Sequence, residues 1–152
     1  MSARLSKKPV PNISKFAKSS KTTNASPKAE QALIDRLRKI CLALPDAEER
    51  VSHGEPTWFA GKGKVFAMLD NHHHGSPHLA VWLPLPVGAQ ASLVERDGER
   101  FFCPPYVGVK GWVGVVLDGK PDWRKVELLI RDAYSHVATR SRIARMAAMG
   151  RS

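Results

Sequence analysis

The stretch TWFAGKGKVFAMLDNHHHGSPHLAVWL, Thr57 to Leu83, decides the fold class. Thr57–Ala60 and Lys64–Leu69 are short runs of aromatic, branched and apolar residues, which suit a pleated, half-buried surface. Gly61-Lys62-Gly63 between them can take positive φ, so the two runs read as a hairpin. Asp70–Pro77 is dense in turn residues and reads as a loop. Leu79–Leu83 is a third strand, stopped by Pro84 and Pro86, which have no N–H to give a ladder.

Towards the N-terminus, Ser26 stands where it can cap a helix whose first residue is Pro27. Leu33, Leu37, Ile40, Cys41 and Leu44 recur at helical spacing as one apolar stripe, and Pro45 ends it. The polar stretch Asp46–Glu55 reads as a crossing to the hairpin. Towards the C-terminus, Ala89–Arg96 is a short helix, Pro104-Pro105 an extended segment, and Trp112–Leu117 a fourth strand. Asp118-Gly119 turns the chain, and Asp122 caps a last helix with Val126, Leu129, Ile130, Ala133 and Val137 on its core face. This order predicts an α+β fold, an antiparallel sheet of four to five strands covered on one face by the N- and C-terminal helices. Residues 26–140 are the expected domain. Residues 1–25, polar and Pro-interrupted, read as a disordered basic arm, and 141–152 as a basic helical extension.

The net charge is +10 over 152 residues. Residues 1–28 carry seven basic side chains and no acid, and 139–152 carry four and no acid. Setting those aside leaves 13 basic residues against 14 acids in 29–138. A basic pI ordinarily points to nucleic acid or a membrane surface; here that argument belongs to the tails. Cys41 and Cys103 are too far apart for a C-x-x-C motif, which excludes a zinc ribbon and a disulfide framework and suits a reducing, cytoplasmic setting. No apolar run approaches the roughly 18 residues a membrane span needs.

Several segments together resemble the MmcQ/YjbR-like family. They are Leu44-Pro45-Asp46, Ser52–Phe59 (SHGEPTWF), Gly63–Ala67 (GKVFA), Pro105-Tyr106-Val107, Lys110–Val113 (KGWV) and Leu129–Tyr134 (LIRDAY). The resemblance spans about 29–140. It implies a frataxin-like (CyaY-like) α+β domain, and duplex DNA as a partner met through β-hairpin wings. It supplies no catalytic residues.

Lys62 and Lys64 with neighbouring aromatics fit a wing, where cations neutralise phosphate and rings pack. Lys110 and Trp112 are a second candidate pair, and Arg140, Arg142 and Arg145 a phosphate-contacting helix end. Lys110–Val115 partly echoes an RNA-recognition-motif signature, but Leu117 stands where a later aromatic belongs. His72, His73, His74 and His78 share one loop, yet consecutive histidines cannot all converge on one ion, so no metal or cofactor is expected. No nucleotide-binding, nucleophile-elbow or zinc-protease motif occurs, so the chain reads as a monomeric binding module rather than an enzyme. The alternative to DNA is a small-molecule or protein partner met in a pocket near His53, Glu55, Trp58 and Trp82.

Overall fold

The two apolar helical stripes need a surface to cover, and one face of an antiparallel sheet supplies it. The computed structural model describes residues 26–72 and 76–150, the Arg145 side chain excepted. The expected arm 1–25, His73, His74 and Arg151 lie outside the described residues. Helix α1 is Pro27–Leu42, with Pro27 at its start and the Ser26 hydroxyl accepting the Ala29 N–H at 3.2 Å. Ile34, Leu37 and Cys41 are its buried residues, while Leu33, Ile40 and Leu44 pack at the edge of the core. Burial first, and the charge of Glu49 second, push the Cys41 thiol far above its ordinary pKa, so it behaves as plain core.

The strands are β1 (Ala47–Ser52), β2 (Glu55–Ala60), β3 (Val65–Asn71), β4 (Leu79–Leu83), β5 (Phe101–Phe102) and β6 (Val113–Val116). They form one antiparallel sheet in the order β1-β2-β3-β4-β6-β5. Six strands exceed the four to five expected. The crossing read into Asp46–Glu55 is largely strand β1, paired with β2 from Ala47↔Ala60 to Ser52↔Glu55. Its sequence, AEERVS, gives no apolar alternation because an edge strand need bury little, and charge there discourages pairing with other chains. His53 and Gly54 both take positive φ, 56° and 83°, the geometry of a two-residue hairpin turn. Trp112 stands just before β6 rather than in it.

Helix α2 is Ala89–Arg96 and helix α3 is Trp123–Gly150. Asp122 Oδ1 accepts the N–H groups of Arg124 and Lys125, as a capping residue should. Val126, Ile130, Ala133 and Val137 are buried against the sheet, and the helix runs unbroken through residues 140 and 141. Among the described residues no helix is long and apolar enough to cross a membrane.

Two features lock the helices to the sheet. Between β2 and β3 the register shifts, Phe59 pairing with Val65 but Trp58 with Ala67, which leaves Phe66 as an extra residue. The Phe66 ring meets Tyr134 of α3 edge-on at 5.3 Å, and the Tyr134 hydroxyl donates to the Pro45 carbonyl. The second is a polar node. Glu49 Oε1 accepts from Trp58 Nε1 at 3.1 Å and from Arg38 Nε at 2.8 Å, while Arg38 Nη2 reaches Oε2 at 3.1 Å. The hydrogen bond from Arg38 holds the Glu49 carboxyl below its ordinary pKa, overriding burial.

Glu49→Ala should therefore destabilise the domain by about 1–3 kcal/mol at neutral pH, since it strands a buried indole donor and a guanidinium. A carboxyl whose folded pKa is depressed contributes stability above its unfolded value and loses it as pH falls through the folded one. Urea midpoints of the wild type and the variant should differ at pH 7 and draw together below the ordinary glutamate range.

A candidate ligand cavity on the helix-free face of the sheet

Strand β4 is buried along its whole length, on both faces. Leu79, Val81 and Leu83 belong to the core beneath the helices, whereas Ala80 and Trp82 point to the other side by strand alternation. Among the described residues no α-helix covers that side. Phe102 pairs with Gly114, which also pairs with Trp82, so all three share the helix-free face. A methyl group on Gly114 would overlap the Phe102 ring, so the ring lies directly across the glycine.

The chain then turns back through Cys103–Trp112. Gln90 of α2 fastens this segment, its Nε2 donating to the carbonyls of Gly108 (2.9 Å) and Trp112 (2.6 Å). Tyr106 adopts a left-handed backbone, φ 65°, which costs a residue with a Cβ on the order of 1 kcal/mol. Tyr106 and Val107 then form one wall of a cavity of about 360 Å³.

Met68 and Trp82 supply apolar surface to that cavity, and Ser52, His53, Glu55 and Asp70 supply polar groups. His53 arrives through its positive-φ turn, with Ser52 Oγ and His53 Nδ1 3.1 Å apart. Asp70 is 2% exposed, a carboxylate inside the sheet. Trp82 is 6% exposed, and its indole N–H has no hydrogen-bond partner among the described residues. A flat apolar wall and two carboxylates thus meet in one concavity.

Three of the four pocket residues expected from sequence, His53, Glu55 and Trp82, come together here. Trp58 does not. It faces the helices, fully buried, with its N–H held by Glu49, because it has the opposite strand parity from Thr57. Sequence reasoning missed Met68, Asp70 and Tyr106. The signal for Asp70 was an acid ending the run VFAMLD, where alternation sets it on the same face as Met68.

The basic candidates are more dispersed. Lys62 lines a hollow between the β2–β3 hairpin and α3 together with Arg142, but Asp46 and Glu48 line it too. Lys64 is exposed on the hairpin, while Arg140 borders a different hollow that contains Asp132. Lys110 is exposed in a 3-10 turn ahead of β6, two strands from β3, and Trp112 is half-buried beside it. At the other end of the sheet, His72 Nε2 lies 2.9 Å from Glu30 Oε2. Burial alone would lower the His72 pKa, but the hydrogen bond to Glu30 and the charges of Glu30, Asp118 and Asp70 outweigh it and hold it above the ordinary histidine value.

Fold and cavity define an α+β domain with an open-faced antiparallel sheet whose bare side is half closed by a returning segment. The YjbR family model matches residues 42–136, and the chain belongs to that family. The structure of Deinococcus radiodurans protein DR2400, with its DUF419 domain, is similar in fold, at a TM-score of 0.58 and 22% identity over 68% of this chain and 77% of that one. No curated protein matches this chain.

The closure of the bare face can be tested at Gly114. Gly114→Ala should destabilise by about 1–3 kcal/mol by displacing the Phe102 ring. Phe102→Ala should make the same change nearly neutral, so a double-mutant cycle in urea should show coupling between the two sites.

Proposed function

We propose that this chain is a small-molecule-binding domain and that its site is the cavity walled by Trp82, Met68 and Tyr106. The observation that carries this is the buried Trp82 N–H. A donor taken from water without an acceptor costs about 1–3 kcal/mol, and a ligand acceptor that reaches the indole edge, itself closed to solvent here, would recover that energy. Binding sites are concave, mostly apolar spaces of about 300–1,000 Å³ with a few placed polar groups, and this one fits at the small end. The matching ligand is compact and flat, with an acceptor for the indole and a donor or positive charge for Asp70 and Glu55.

The second reading is DNA binding, and one observation favours it: the hairpin and α3 bring Lys62 and Arg142 to the same hollow. Asp46 and Glu48 in that hollow offset their charge, which weakens recognition of phosphate there. Any affinity of the full chain for duplex then belongs mainly to its tails.

Calorimetric titration of the full chain with flat heteroaromatic amines separates the readings. A binder should lose about five- to tenfold in affinity with Trp82→Phe and be unaffected by Lys62→Ala/Arg142→Ala. Duplex affinity should keep its salt slope in Lys62→Ala, which leaves both basic tails intact. If no heteroaromatic binds, and Lys62→Ala shallows the salt slope by about one phosphate contact, the DNA reading replaces the cavity reading.

A further inference from the structure

The end of the sheet opposite the β2–β3 hairpin gathers groups that the cavity does not use. Glu30 comes from α1, His72 from the exit of β3 and Asp118 from the exit of β6. One ligand-type atom from each lies within 4.8 Å of the other two. Two ligands held about 2.1 Å from a metal are at most about 4.2 Å apart, so side-chain shifts of less than about one ångström close the set.

Asp118 gives the independent observation. It is 3% exposed, and its Oδ2 is occupied, accepting the Leu79 N–H at 2.9 Å with His78 Nδ1 at 3.3 Å. Its other oxygen, Oδ1, is buried and has no hydrogen-bond partner among the described residues. A carboxylate anchored by one oxygen and bare at the other is the usual form of a metal ligand with an outer-shell partner. The nearby Arg100 guanidinium donates through Nη1 to the Asp118 main-chain carbonyl at 3.0 Å, an interaction separate from the carboxylate.

We propose that Glu30, His72 and Asp118 bind a divalent transition metal of the zinc class, with His78 orienting Asp118. One imidazole and two carboxylates suit such an ion, and three protein ligands leave a fourth tetrahedral position for water. The two carboxylates, buried Asp118 among them, balance the two charges of the ion. The histidine run by itself gave no reason to expect this, because both carboxylates come from distant parts of the chain. The site is separate from the cavity and stands whether or not that cavity binds a ligand.

The test is zinc and cobalt titration of the full chain, the wild type against Glu30→Gln and His72→Ala, with His73→Ala/His74→Ala as the control for adventitious chelation. Melting temperatures without metal establish that each variant is folded. The wild type should bind one equivalent of zinc, gain melting temperature and, with cobalt, show the intense visible bands of a low-coordinate site. Glu30→Gln and His72→Ala should each weaken zinc by at least about tenfold. The control should stay within about threefold of the wild type. Zinc binding unchanged in Glu30→Gln, or weakened comparably in the control, overturns the site, as does the absence of any stoichiometric binding.

Discussion

An antiparallel sheet with helices on one side only leaves its other side to be closed by something else, and in this chain that constraint shapes the rest. The Phe102 ring laid across Gly114, with Gln90 holding the following turn, makes the segment after β5 serve as the missing layer. Tyr106 and Val107 of that segment line the cavity with buried Trp82 and Asp70 but do not fill it. The cavity is what remains. Its polar character follows from the same fact, since residues on a face without a second core were never all apolar.

The polar groups divide by location. On the helix side Glu49 is fully engaged, receiving hydrogen bonds from both Arg38 and Trp58, and it fixes α1 against β1 and β2. On the bare side the Trp82 donor is buried without such a partner among the described residues, and at the sheet's far end Asp118 Oδ1 is in the same condition. Satisfied polar groups hold a fold together, whereas an unsatisfied buried one is where a water, an ion or a ligand can be taken up. That contrast underlies both proposals, at the bare face and at the far end, whereas the Arg38–Glu49–Trp58 node is scaffold.

Much of the architecture was legible in the sequence because it obeys local rules. Ser26 and Pro27 start α1, the 3.6-residue period of Val126, Ile130, Ala133 and Val137 writes α3, and the Gly-Lys-Gly break writes the β2–β3 hairpin. Strand β1 escaped notice because an edge strand made of AEERVS needs no apolar period, and β5 because two residues carry no period at all. In the site, His53, Glu55 and Trp82 were legible as polar and aromatic residues beside strands. Trp58 was misplaced because parity, set by register, decides which face a residue serves. Tyr106, a tyrosine held at positive φ by a segment folding back from β5, has no local signature. The metal candidates escaped for a related reason: Glu30, His72 and Asp118 meet only through tertiary packing.

The most direct measurement of the central claim is the indole region of a ¹H–¹⁵N spectrum of the full chain, followed as a heteroaromatic amine is added. The account predicts that the Trp82 Nε1–H resonance shifts as its donor is taken up by the ligand, while that of Trp58, already bonded to Glu49, stays in place. A Trp82 resonance unmoved by such molecules and exchanging with water at the rate of an exposed indole would contradict it.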